Sequence, residues 1–598
     1  MRTDQSEKPG FQIGIAMAGA VSAGAYTAGV FDFMMEALSE WEKAKERGDN
    51  VPQHDVFISA VSGTSAGGIT AALGLASVAG GVRPTEQPAA NPEQIGPIRR
   101  VLPELYDVWV KRTKLFAPVG KTTGSSSPAL LDTKDINAGK LPRSLLNSDV
   151  LTAIARESLS SIRPTGEGHR FFTAPTHLFL THTNLDGVPY PIAFEDDVYW
   201  MSLHEDRAHF ALSGLGQHPF PKECRWLETW HDPGDPIDLR QLGTLAGAPA
   251  DRPLMEPFEQ LAQSALTTSA FPFGLSARQI SVDPINLRRR ALPFDAGTFP
   301  DTLLKQDFGS IPAIKRANFV CVDGGTLNNE PFEIVRWTIR DLNEAQNSRD
   351  PRSANRAVIL IAPFPPQSRS NFEVLGTIRD LGVGFVGKTL LPALVDQARF
   401  KASDLIAAAD PKVYSRYLIA PVRVKGSNEP ALACGALYAF GGFIDEQFRE
   451  HDFQLGRRNC QWFLRKHFML HPSNPVFGAE ADSNAPEGAE RSIIPLVGTA
   501  DVPLEELPPW PQLERSQLFN LRRALLHRLD ALAAASLNEL LKSFWLLRIA
   551  VKISWWRNRN WVADHAMRIV VTELDRAHQL KPLQPVGFWR RLLRHTSQ

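Results

Sequence analysis

A strand, a run of small residues and a helix follow one another twice between residues 11 and 78, and this repetition constrains the chain more than any other feature. Phe11–Met17 is a short apolar run suited to a buried strand, and Gly19–Gly24 holds only small residues and one valine. Tyr26–Lys45 then carries Val30, Phe33, Met34, Ala37, Leu38 and Trp41 at helical spacing before a charged run and Gly48. The second round is the strand Asp55–Val61, the turn Ser62–Gly67 and the helix Ile69–Val78. Such alternation predicts an α/β protein with a mostly parallel central sheet between helical layers. Further strands are predicted at His177–Asn184, Asn318–Val322 and Ala357–Ala362. The last of these runs into Pro363, Pro365 and Pro366 and is expected to close the sheet.

The character changes after residue 366. Phe443–His471 has helical spacing, Pro472–Pro511 is proline-rich and loop-like, and Ser516–Val571 predicts long helices with few breakers. The expected organisation is an α/β domain over 8–366, with insertions near 82–145 and 185–255, and a mainly helical region over 367–598. Val82–Ile98 and Thr122–Ser127 read as surface loops.

Charge and composition exclude several classes. With 65 basic and 65 acidic residues there is no net field to draw the chain to nucleic acid, and no nucleic-acid partner is expected. Four dispersed cysteines form no CxxC, which argues against a disulfide framework or zinc ribbon and suits a reducing compartment. Ile13–Val30 is nearly uncharged, but its glycines and alanines carry little transfer energy and its flank (Asp4, Glu7, Lys8) is mixed. Neither a signal peptide nor a transmembrane helix is expected, and the expected location is cytoplasmic. The neutral total conceals a basic tail: residues 511–598 hold 15 Lys and Arg against 6 Asp and Glu, with Trp545, Trp555, Trp556, Trp561 and Trp589.

Two motifs fail on inspection. Gly120-Lys121-Thr122 lacks the earlier glycine of a phosphate loop, since position 115 is Leu. His204-Glu205 and His209 are spaced i, i+5, so on a helix their rings would point about 140° apart and could not share a metal. An exposed charged turn is expected there, and no metal or cofactor is expected anywhere.

Three segments carry chemistry. Gly63-Thr64-Ser65-Ala66-Gly67 matches G-x-S-x-G between a strand and a helix. There a sharp turn tolerates only small neighbours and raises the serine hydroxyl over a helix N-terminus. Asp323-Gly324-Gly325 places a carboxylate at a strand end beside two glycines that permit close approach. Gly19-Ala20-Val21-Ser22-Ala23-Gly24 precedes a helix, where converging amides could meet an oxyanion. Taken singly, each is also compatible with an ordinary cap or turn.

Together these segments resemble the patatin-like phospholipase family over about residues 8–366. Ala18–Val30 resembles its glycine-rich loop and helix, Gly63–Gly67 its elbow, and Asp323–Gly325 its D-G-[GA]. Ala265-Leu266-Thr267-Thr268-Ser269-Ala270-Phe271-Pro272-Phe273 resembles its A-x-x-A-[ST]-x-A-x-P block. Gly441-Gly442-Phe443 and His451–Arg458 resemble a segment of larger bacterial members. The departures lie in the loop, where Ala20 and Val21 stand for glycines and Ala23 for a basic residue. A positive φ at Val21 would cost about 1–2 kcal/mol.

The resemblance implies a three-layer α/β/α fold and an acyl-ester lipid hydrolase with a Ser–Asp dyad. Ser65 would be the nucleophile and Asp323 the proton acceptor, with the oxyanion held by the amides of residues 19–24. It implies no metal. Two alternatives remain open: a Ser–His–Asp α/β-hydrolase using His451, His467 or His471, and a membrane-associated scaffold that has lost turnover. Leu254–Leu275, with Phe258, Phe271 and Phe273, is expected mainly in the core and otherwise along an acyl groove. In Leu541–Trp561, Arg548, Lys552 and Arg559 form a narrow basic stripe; a packed helix with a snorkelling edge is expected, and lipid contact over 541–594 is the other reading.

Overall fold

The computed structural model describes residues 10–87, 98–116, 129–137, 139–194, 197–221, 224, 234–247, 251–282, 316–340, 347–364, 412–424, 430–504 and 507–582. The candidate phosphate-loop remnant at 120–122, the loop 122–127, Pro365, Pro366 and Trp589 lie outside these residues.

β1 (Gly10–Met17) leads through a single 3-10 turn (Val21–Ala23) into α1 (Gly24–Glu46). β2 (Asp55–Gly63) leads into α2 (Ala66–Ala79) through two residues, Thr64 and Ser65. The segment 82–98, expected to be loop, instead contributes a small hairpin of β3 (Thr85–Gln87) and β4 (Ile98–Arg100). After α3 (Ser148–Ser161) come the long β5 (His169–Phe194), β6 (Asp197–Ser213), β7 (Gly216–Pro219) and β8 (Asp235–Asp238). Then follow α4 (Phe258–Thr268), β9 (Arg278–Val282), β10 (Ala317–Asp323), α5 (Phe332–Thr338) and β11 (Arg356–Ile361). β12 (Arg416–Ile419), α6 (Glu446–Lys466), α7 (Arg515–Leu540) and α8 (Trp545–Arg576) follow.

The main sheet runs β12-β11-β1-β2-β5-β10-β9. Its first five strands are mutually parallel, β10 runs antiparallel to β5, and β9 runs antiparallel to β10. Along β1, side chains alternate between two cores. Phe11, Ile13, Ile15 and Met17 join the large cluster with α1, α2 and α6, and Ala16 joins a smaller cluster with Phe332 and Val335 of α5. A side chain at Gly14 would overlap Val335, so glycine lets α5 lie close against that face. The protein is thus α/β, with a mostly parallel central sheet and a helical C-terminal region.

Ala357–Ala362 does not close the sheet as expected: β12 adds beyond it, pairing Val358–Ile361 with Arg416–Ile419. Residues past 366 share the central core as well. α6 crosses α1 where both present glycine, since a Cβ at Gly29 would overlap the Phe453 carbonyl and one at Gly456 the Tyr26 carbonyl. Beside this crossing, buried Arg457 pairs with Asp32 and Glu36 of α1.

One other expectation is corrected. His204, Glu205 and His209 lie in strand β6 rather than in an exposed turn, and His209 is buried, stacked on Phe179. Alternation in an antiparallel strand, not a turn, accounts for the mixed sequence. Among the described residues no group of three metal-ligating side chains comes together, and no helix is long and apolar enough to cross a membrane.

Candidate active site

The register of β5 explains how a serine and an aspartate 258 residues apart meet. Gly63, the last residue of β2, pairs with Leu180 of β5, so Ser65 sits just past that level. β5 continues beyond it, and β10 runs back along β5 to end with Asp323 opposite His182. Antiparallel return thus delivers the carboxylate to the end of β2. Ser65 Oγ donates to Asp323 Oδ2 at 2.7 Å. Asp323 is 4% exposed, and its other oxygen accepts the Gly325 amide at 2.7 Å.

The turn holding Ser65 is strained: its φ is 52° and ψ −121°, a conformation L-residues rarely adopt. Several contacts hold it. Ser65 N donates to Thr268 Oγ1 at 2.9 Å, and Thr64 N to the Met17 carbonyl at 3.1 Å. Thr64 Oγ1 donates to the Asn328 carbonyl at 2.9 Å and lies 2.6 Å from Thr181 Oγ1. Glycine is required at Gly63 and Gly67, where a Cβ would collide with the Gly67 and Met17 carbonyls respectively. Ala66 opens α2, so the helix N-terminus faces the pair and favours negative charge there. On the aspartate side, Gly324 lies against Thr181, and Gly325 is close to the Asn329 side chain.

The loop 19–24 is narrower as a donor site than expected. Gly19 N is bonded to the Asn329 carbonyl (3.1 Å), Ser22 N to Ala439 (3.1 Å) and Ala23 N to Ala20 (2.9 Å), and Gly24 N turns back onto Ser22 and Val21. Only the amides of Ala20 and Val21 make no hydrogen bond among the described residues. The reason is local: residues 21–23 wind into a 3-10 turn that uses its own amides. Val21 does adopt a positive φ of 49°. Ser22 fixes it there, because its hydroxyl donates to the Ala439 carbonyl and accepts the Gly442 amide at 3.1 Å. Cys434 lies beside it; burial, reinforced by Asp452, pushes its thiol well above the ordinary cysteine range and keeps it protonated.

Ser65 opens on an apolar cavity. Val21, Ser65, Ile69, Leu73, Trp109, Ile154, Leu261, Leu266, Phe271, Phe440 and Phe443 line it, and among the described residues no charged one does. Leu254–Leu275 therefore divides: Phe258 is in the core, Leu261, Leu266 and Phe271 face the cavity, and Phe273 is exposed.

The histidines of the alternative triad are engaged elsewhere. His451 contacts Asp452 (2.9 Å) and Trp510, His471 contacts Ser473 and the Pro486 carbonyl, and His467 lies against Trp462. Sequence reasoning missed Thr268, Asn329 and the 437–442 segment as supports of the site. Thr268 lay inside the quoted segment 265–273 and Gly441 and Gly442 inside 441–443, but nothing in a motif shows which backbone group a side chain will hold.

Fold and site together define an α/β protein with a serine at a strained strand–helix turn, bonded to a buried carboxylate and facing an apolar cavity. No family model matches the chain. An uncharacterized protein of Sinorhizobium fredii, y4iI, is 38% identical over 563 residues, covering 89% of this chain and 76% of that protein. The chain belongs to the same family as that protein. Among solved structures, VipD from Legionella pneumophila gives a weak likeness: 10% identity over 77% of this chain and 67% of that one, with a TM-score of 0.23.

Proposed function

We propose that this protein is a lipid acyl hydrolase of the patatin-like kind, cleaving carboxylic esters through a Ser65–Asp323 dyad. The observation that carries the reading is the 2.7 Å hydrogen bond from Ser65 Oγ to Asp323 Oδ2 at the wall of an uncharged cavity. The cavity supports a long acyl chain as the bound part of the substrate, because apolar walls gain by excluding water from it.

Ser65 Oγ attacks the ester carbonyl as Asp323 takes its proton, forming a tetrahedral intermediate. The amides of Ala20 and Val21, with the α2 N-terminus behind Ser65, meet the negative oxygen. Collapse expels the alcohol, which regains the proton from Asp323, and leaves an acyl-serine. Water then attacks that ester, Asp323 accepting its proton. A second collapse returns the proton to Ser65 and frees the fatty acid.

The test is fatty-acid release from mixed-lipid vesicles by the wild type, Ser65→Ala and Asp323→Asn. Loss in both variants, with folding intact by circular dichroism, is the expected result. Equal release by all three would remove the dyad.

A further inference from the structure

We infer that the tip of the α7–α8 hairpin is a docking surface for an anionic lipid bilayer. The tail was expected to pack its apolar residues inward, and it does not. Trp545, Leu546 and Trp556 are 61%, 65% and 68% exposed, and Phe544, Leu547, Ile549 and Ile553 are exposed as well. At about 100° per residue, Trp545, Leu546, Ile549, Ile553 and Trp556 fall within roughly 100° of arc on α8. One side of a helix therefore presents a continuous apolar strip to solvent. A monomeric surface rarely leaves such a strip uncovered.

Charge selects the occupant. From Leu540 to Ala563 there is no Asp or Glu, while Lys542, Arg548, Lys552, Arg557 and Arg559 are all basic. Lys552 and Arg548 fall on one side of the strip and Arg557 on the other. Lys542, Lys552 and Arg557 are exposed, and none of them pairs with a carboxylate among the described residues. Two tryptophans and apolar side chains between flanking cations suit the headgroup boundary, where rings sit at headgroup depth and each cation meets lipid phosphate. A second copy of this chain would bring the same positive charge against itself.

The hairpin is held rigid away from its tip. Asp530 of α7 accepts both Trp555 Nε1 (2.9 Å) and Arg559 (2.8 Å), and Arg522 pairs with Asp564 at 2.7 Å. It is also tied toward the cavity. Buried Arg528 of α7 donates to the Leu145 carbonyl at 2.9 Å and pairs with Asp135, and Leu145 N in turn donates to the Phe273 carbonyl at 2.9 Å. Exposed Leu145 and Phe273 thus lie between the hairpin and Phe271 of the cavity wall.

The inference does not rest on the hydrolase reading, so binding is measured apart from turnover. Full-length protein carrying Ser65→Ala is sedimented with vesicles of phosphatidylcholine, alone or mixed with phosphatidylglycerol. Expected are binding to the anionic vesicles, a loss of at least about tenfold on raising salt well beyond physiological strength, and weak binding to neutral ones. Trp545→Ser with Trp556→Ser should weaken anionic binding by about tenfold or more. Lys552→Glu with Arg557→Glu should abolish the preference for anionic lipid. These side chains are exposed, and unchanged circular dichroism and melting would show that folding survives. No vesicle binding by the parent, or binding that both double variants leave unchanged, overturns the inference. So does a dimer in sedimentation velocity that the tryptophan variant converts to monomer without vesicle binding by the parent.

Discussion

Thr268→Val is the sharpest test of how the strained serine is held. The side chain is fully buried, and its hydroxyl accepts the Ser65 amide at 2.9 Å. Valine keeps the shape, including the methyl group against Gly68, and removes only the acceptor. A buried donor left without a partner costs about 1–3 kcal/mol. That is comparable with the roughly 1–3 kcal/mol stored in a backbone such as that of Ser65. The elbow can then relax, and a displacement of about 1 Å at a nucleophile costs on the order of 10²-fold in rate. The expected result is a melting midpoint lower by a few degrees and a kcat for a soluble ester reduced about 10–10²-fold, with KM little changed. Thr268→Ser restores the acceptor and should recover most of both. If Thr268→Val melts and turns over like the wild type, the hydroxyl does not hold the elbow and the reasoning fails.

Other substitutions probe separate parts. Gly29→Ala forces a methyl group into the Phe453 carbonyl and pushes α6 from α1, straining the buried Arg457 pair; a loss of about 3 kcal/mol or more is expected in urea melts. Arg457→Met leaves Asp32 and Glu36 buried without their cation and should cost about 3–5 kcal/mol by the same measurement. His54 is buried between Trp41 and Phe477, and burial lowers its pKa from 6.5 to about 4. The unfolded chain takes up this proton as pH falls through 6.5 and the folded one only near 4, so stability is lost across that window, by about 3 kcal/mol in all. His54→Phe should flatten the acid limb of a stability–pH curve between those values.

The elements nearest the site were the most legible. Two strand–turn–helix units could be placed from Phe11 and Asp55 onward because buried parallel strands are continuous apolar runs and their turns need small residues. The pairing of Ser65 with Asp323 was readable only as a resemblance. Its cause, the overrun of β5 past β2 and the return of β10, is a matter of register, and register leaves no local trace. β12 escaped because a four-residue strand at an edge has too little periodicity to stand out. The exposed strip of α8 was misread for another reason: an apolar helix face looks the same in sequence whether protein or something else covers it.

The altered glycine loop shows where the C-terminal region enters the chemistry of the site. A chain of glycines would reach a positive φ at position 21 without help, but valine must be held there. The holding contacts come from Ala439 and Gly442, which engage Ser22 on both its amide and its hydroxyl. Leu437, Tyr438 and Ala439 are themselves all at positive φ, 57°, 53° and 71°. Strain at the loop is therefore balanced against a second strained segment, and that segment is packed next to Phe440 and Phe443 of the cavity wall. Cutting the chain after residue 366 would remove β12, α6 and this brace together. Replacing Ser22 with alanine removes only the hydroxyl bonds. If the brace sets the amides of Ala20 and Val21, Ser22→Ala should lower kcat by about tenfold or more while the fold melts within a few degrees of the wild type. Unchanged turnover would mean that the loop keeps its conformation unaided and that residues 437–442 serve packing alone.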